Sequence, residues 1–139
     1  MTGPRIVPEL YCSDFSRSLA FYTDGLGFVV RYSRVEERFA YLDLDGAELM
    51  IEQTVSPERT LVAAELDAPF GRGVNLQIDV DDVDTLHARV QAAGARTFWP
   101  LEERWYRAGE REIGVRQFVA SDPDGYLLRF AQQLGERPA

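Results

Sequence analysis

The 139 residues suffice for one ordinary domain with a real core, and a hydrophobic share of 45% excludes a disordered chain. Fifteen basic against 23 acidic residues leave a formal charge of −8, which argues against a nucleic-acid backbone as partner and permits a cationic ligand. A single cysteine, Cys12, excludes an internal disulfide and a cysteine-based zinc site, and no apolar run is long enough for a membrane span or a signal peptide, so a cytoplasmic protein is expected.

Residues 5–12 alternate as a strand does, with Pro8, Leu10 and Cys12 to one side and Val7, Glu9 and Tyr11 to the other. Asp14 then stands where a helix needs a cap, since its carboxylate can accept an unpaired N–H of the first turn. Phe15, Leu19 and Tyr22 follow at spacings of four and three, one face of a helix, and Gly25 and Gly27 stop it. Strands are predicted at 28–35, 38–44 and 47–53, the last two joined by the hairpin signal Asp45-Gly46. Residues 54–73 lack a period and read as a linker, with a short helical turn near 61–66. A strand at 74–80 and a helix at 82–93 come next. A further strand is expected at 97–103, then a loop at 104–114 carrying Trp105 and Tyr106. Strands at 114–120 and 126–132 flank a turn at Asp122-Pro123-Asp124-Gly125, and the tail beyond Gln133 reads as loose.

The second helix repeats the first. An offset of 68 residues lays Asp82 on Asp14, Val83 on Phe15 and Val90 on Tyr22. The expected fold is therefore α+β, with two βαβββ modules at about 5–53 and 74–132 inside a single domain spanning 1–139. In each module one sheet face covers its helix, and the other is polar enough to line water or a ligand. Two such sheets can curl into a trough.

The runs LYCSDFSRSLAFYTDGLGF, GRGVNLQIDVDDVD and SDPDGYLLRF, in that order, resemble the vicinal oxygen chelate superfamily over about residues 6–132. That group includes glyoxalase I, ring-cleaving dioxygenases, fosfomycin-resistance enzymes and bleomycin-resistance proteins. The fold hosts many activities, so the resemblance says more about architecture than about chemistry. It implies metal ligands at four strand positions. By motif three of these fall on Val7, Asn75 and Arg129, and the fourth falls on Met50 by alternation, with Glu48 and Glu52 within a residue or two. Valine cannot ligate a divalent cation, and arginine, permanently positive, repels one. No metal and no cofactor are therefore expected.

The pattern is most similar to the bleomycin-resistance branch, through Pro8 in the opening strand and through Glu112, Gly114, Phe118, Asp122, Pro123 and Gly125. That likeness implies a non-catalytic protein that sequesters a flat cationic drug, and a homodimer in which the first strand is often exchanged. The alternative is a metal-dependent lyase, isomerase or dioxygenase with shifted ligands such as Glu9, Glu48 and Glu52. The candidate ligand-binding residues are Glu9, Tyr11, Phe39, Tyr41, Met50, Glu52, Asn75, Gln77, Trp105, Tyr106 and Arg129. Their aromatic faces stack planar ligands and attract cations, and their carboxylates take charge-assisted hydrogen bonds. Arg129 either pairs with Glu52 or Glu48 or, unpaired, favours an anion. His87 reads as a surface or interface histidine, and the aspartates at 79, 81, 82 and 84 as helix-capping rather than calcium-binding groups.

Overall fold

A computed structural model describes residues 3–54 and 60–139. The chain forms two compact units, Met1–Phe70 with Pro123–Gly125, and Gly71–Asp122 with Tyr126–Ala139. Each is an α+β module of one helix and one four-stranded mixed sheet.

The first unit contains β1 (Glu9–Tyr11), α1 (Phe15–Ala20), β2 (Val29–Arg34), β3 (Phe39–Leu44) and β4 (Ala47–Glu52), in sheet order β1-β4-β3-β2. Only β1–β4 is parallel, because the α1 crossover returns the chain in the same direction. β1 is shorter than its alternation predicts. Pro8 has no N–H for the ladder, although its carbonyl still accepts from the Met50 N–H at 2.8 Å.

Asp14 caps α1 as expected, accepting from the Arg17 N–H at 3.1 Å, while Gln53 Oε1 accepts the Phe15 N–H at 2.8 Å. Two of the four orphan donors at this helix start are thereby satisfied. Asp14→Ala should lower unfolding free energy by about 1 kcal/mol in urea titration, with an unchanged denaturant slope. Past Ala20 the helix widens into a π-turn at Phe21–Gly25, closed by the Leu26 N–H on the Phe21 carbonyl at 3.0 Å. Tyr22 is fully buried there, edge-on to Phe21 and Phe28 at 5.2 and 5.6 Å. Between β3 and β4, Asp45 and Gly46 have φ of +49° and +95°, the two positive values that a tight hairpin with the right twist requires. Leu10, Ala40, Leu42, Leu49 and Ile51 are the buried residues of the helix-side face.

The second unit contains β5 (Asn75–Asp79), α2 (Val83–Ala92), β6 (Arg96–Ala108), β7 (Arg111–Ser121) and β8 (Leu127–Pro138), in sheet order β5-β8-β7-β6. Asp82 accepts from both the N–H and the hydroxyl of Thr85, and Gln132 Oε1 accepts the Val83 N–H at 3.0 Å. Gln132 thus does for α2 what Gln53 does for α1. Val83, Leu86 and Val90 point α2 onto a buried layer of Ile78, Phe118, Ala120, Leu128 and Phe130. His87 is half-buried, edge-on to Phe118 at 4.9 Å.

Three expectations are corrected. Residues 104–114 are not a loop, because β6 and β7 continue as a two-stranded ribbon in which Trp105 pairs with Gly114 and Arg107 with Glu112. Nor is the tail loose, since β8 runs to Pro138, opposite Arg111. Both stretches lack apolar alternation because the ribbon's polar side chains are largely exposed, so period-two patterning carries no signal there. Residues 61–66 form no helix. They are exposed throughout, and no apolar stripe holds them to a surface.

Pro123–Gly125 belongs with the first unit through a buried carboxylate. Asp124, 5% exposed, accepts from the N–H and hydroxyl of Ser13 at 3.0 and 2.5 Å, while Arg17 donates to the Pro123 carbonyl at 3.2 Å.

Candidate functional site

Strand register decides which side chains share a face. In the first unit the face away from α1 carries the cross-strand row Glu9–Met50–Tyr41–Tyr32 and, next to it, Tyr11–Glu52–Phe39–Arg34. Glu48 and Asp43 pair in a third row. The candidates Glu9, Tyr11, Phe39, Tyr41, Met50 and Glu52 therefore lie together on one surface.

They are not equally available. Phe39 is 2% exposed, under the Arg34 guanidinium at 4.1 Å and beside Tyr32 at 5.9 Å. Tyr11 is buried too, its hydroxyl accepting the Leu61 N–H at 2.9 Å. Tyr41 stacks on Tyr32, centroids 5.1 Å apart and planes 17° off parallel, and its hydroxyl donates to Glu48 Oε1 at 2.6 Å. That hydrogen bond raises the phenol above its ordinary value, with burial next and the Glu48 charge adding to it. Tyr32 is half exposed and is missing from the sequence candidates. The register slips between Val30 and Tyr32, which breaks the alternation that would have assigned it to this face.

The charges on this face separate into paired and unpaired. Arg31 reaches Asp43 and Glu48 at 3.6 and 3.5 Å, and Arg34 holds Glu37 at 2.6 Å. Glu9 and Glu52 have no ion pair among the described residues. Burial holds the Glu52 carboxyl above the usual carboxylate range, and the charge of Glu9 and a hydrogen bond with it push it further. An acid raised in the folded state gives stability that is whole below the ordinary glutamate range and lost as pH climbs through the raised value. Glu52→Gln, which cannot ionise, should therefore match the wild-type melting temperature at acid pH and exceed it at neutral pH. Parallel melting-temperature profiles across that range would contradict the assignment.

In the second unit Asn75 and Gln77 on β5 and Arg129 on β8 lie on the face away from α2, with Gln77, Arg129, Val119 and Trp99 in one row. Arg129 forms no ion pair among the described residues. Trp105 and Tyr106 part company. Tyr106 accepts from Gln117 Nε2 at 2.7 Å and shares the open face with Glu102. Trp105 lies on the opposite face, flat over Gly114, where a Cβ would come within 2.6 Å of the indole. The Arg137 guanidinium covers it at 4.0 Å.

The positions to which the resemblance assigns metal ligands hold Val7, Met50, Asn75 and Arg129, a donor set that does not fit a divalent cation. Among the described residues no three of His, Cys, Asp and Glu converge as a metal site would require, Glu9, Glu48 and Glu52 included. Among the described residues no helix is long and apolar enough to cross a membrane.

A family model described as Glyoxalase/Bleomycin resistance protein/Dioxygenase superfamily matches residues 5–130. The bleomycin resistance protein of Geobacillus stearothermophilus is 26% identical over 137 residues, which cover 92% of this chain and 96% of that one. Among solved structures, TioX from Micromonospora sp. ML1 has a TM-score of 0.74 at 27% identity, covering 95% of this chain and 100% of that one. A protein of unknown function from Agrobacterium tumefaciens str. C58 has a TM-score of 0.70 at 26% identity, covering 96% and 98%.

Proposed function

The chain belongs to the Glyoxalase/Bleomycin resistance protein/Dioxygenase superfamily, and from that membership we propose that it is a small-molecule-binding protein that sequesters its ligand without transforming it. One observation carries the reading. Glu9 and Glu52, two carboxyls with no ion pair among the described residues, share a sheet face with the stacked pair Tyr32 and Tyr41. Such a surface suits a flat ligand bearing positive charge, because the rings stack on it and the carboxylates neutralise it. Met50, half-buried between them, offers an adaptable apolar contact.

The ligand class is a flat, cationic, glycopeptide-like drug of the bleomycin type. The resistance proteins among its relatives and the misfit of the metal-ligand positions both support it. The proposed protein is a cytoplasmic homodimer. Exposed apolar side chains on the sheet-edge strands, Val29 on β2 and Phe98 on β6, support a partner copy. Gel filtration with light scattering should give twice the chain mass.

Sequestration is tested by recovery. Drug incubated with a stoichiometric amount of chelator-treated protein, then released by denaturation, should return with unchanged mass and full yield. A modified or cleaved product would replace sequestration by catalysis.

A further inference from the structure

Arg129 sits on the middle of the second unit's sheet, on the face away from α2. It is half-buried, its Nε is fully covered, and among the described residues nothing accepts a hydrogen bond from that Nε. A guanidinium cannot shed its proton to relieve this. A covered, charged donor left unmade is a standing penalty, which is why such groups in folded proteins nearly always have an acceptor.

The neighbours do not supply one. Gln77, directly across on β5, turns its amide NH2 to Asp79 Oδ1 at 3.1 Å, the oxygen that also takes the Gln133 amide at 3.3 Å, and its side-chain carbonyl makes no hydrogen bond to the Arg129 Nε. On the other side Val119 is apolar, and beyond it Trp99 is 45% exposed. Asn75, exposed and one row along from Gln77, adds an amide donor.

We propose that Arg129 anchors a subsite for the carboxylate of a small aromatic acid. This goes beyond the cation-binding face, since it lies on the other sheet and selects the opposite charge. A planar carboxylate fits the guanidinium fork through two parallel hydrogen bonds, one of them from the covered Nε. Arg129 is the positive charge of its own row, with Asp79 and Glu102 in one adjacent row and Arg96 at the edge of the other; these flanking charges leave no net positive excess, so a dianion is disfavoured. Trp99 lies two strands from Arg129, roughly 10 Å away at the usual strand spacing, within reach of a one- or two-ring acid whose carboxylate sits on the arginine.

The test is a titration of the full chain with indole-3-acetate, following the Arg129 Nε–H resonance by nitrogen-15 NMR. Tryptamine and inorganic phosphate serve as controls of opposite charge and of different oxyanion. The acid should shift that resonance saturably, and the controls should leave it in place. Arg129→Gln, which removes the orphaned donor and should fold at least as stably, should weaken indole-3-acetate binding by at least ~10-fold in calorimetry, with Arg129→Lys between it and wild type. An unmoved resonance, or equal affinity in Arg129→Gln, would overturn the site. An equal response to phosphate would overturn the carboxylate class. Dissociation of a dimer by Arg129→Gln, with a resonance insensitive to the acid, would assign the acceptor to a second copy instead. The Arg129 Nε–H resonance reads the second unit's sheet and bleomycin calorimetry reads the cation-binding face, so this proposal and that reading fail separately.

Discussion

Replacing Glu9 and Glu52 together by glutamine should weaken binding of a flat cationic drug by about ten- to a hundredfold at neutral pH. Both changes keep the size and planarity of the side chain and remove only charge. Among the described residues the face then has no carboxylate free to meet a cation, because Glu48 and Asp43 are held by Arg31 and Glu37 by Arg34. Binding should not vanish, since the Tyr32–Tyr41 stack remains. Salt dependence should fall with it, because what is left is stacking rather than screened charge. The pH dependence should flatten as well. In the wild type, affinity for a cation rises as pH climbs through the raised value of Glu52, and the double variant has no group there to ionise. Calorimetry at two salt concentrations and two pH values reads all three effects. An unchanged affinity would move the site off this face.

The largest structural effect is expected at Gly125. Its φ is +99°, and a Cβ would meet the Pro69 Cβ at 2.5 Å and the Pro69 Cα at 2.7 Å. The obstacle is partly backbone, so it cannot swing aside as the end of a flexible side chain can. Gly125→Ala should therefore cost about 3 kcal/mol or more, the sum of backbone strain and overlap. It should also loosen the neighbouring Asp124, whose carboxylate ties down Ser13 at the start of α1. Gly46 is the internal control. It has nearly the same φ, +95°, and nothing within 4 Å of its Cβ position, so Gly46→Ala should cost only about 1 kcal/mol. Equal destabilisation of the two variants in urea titration would show that overlap with Pro69 contributes nothing.

The fold is legible in the sequence where one face of an element is buried. Asp14 and Asp82, each followed by an apolar stripe, announce both helices, and Asp45-Gly46 announces the hairpin. The 68-residue offset between the two caps is enough to expose the repeat. Legibility fails where burial does not pattern the chain. The ribbon of β6, β7 and the end of β8 is held by pairs such as Arg137–Glu112, and such pairs leave no apolar period. Asp124 reads in the sequence only as part of a turn, because no local rule shows that a turn carboxylate reaches a serine 111 residues away. The same holds for Gln53 and Gln132, whose capping of α1 and α2 needs the strands in place first.

On the candidate face, alternation is enough to group Glu9, Met50, Tyr41 and Glu52. It cannot assign Tyr32, hidden behind the slip in β2, and it cannot tell that Phe39 and Tyr11 are used up in packing. Nor can it say which charges have partners. Arg129 reads equally well as half of an ion pair, since the carboxylates that could match it are just as visible in the sequence. Whether a charge is paired depends on side-chain reach across strands, which no periodicity encodes.

The central claim is tested most directly by titrating chelator-treated protein with a metal-free drug of the bleomycin type in a calorimeter. The account predicts saturable binding without any divalent cation. Heats that do not saturate up to high micromolar drug, or binding that emerges only when a divalent cation is restored, would contradict it.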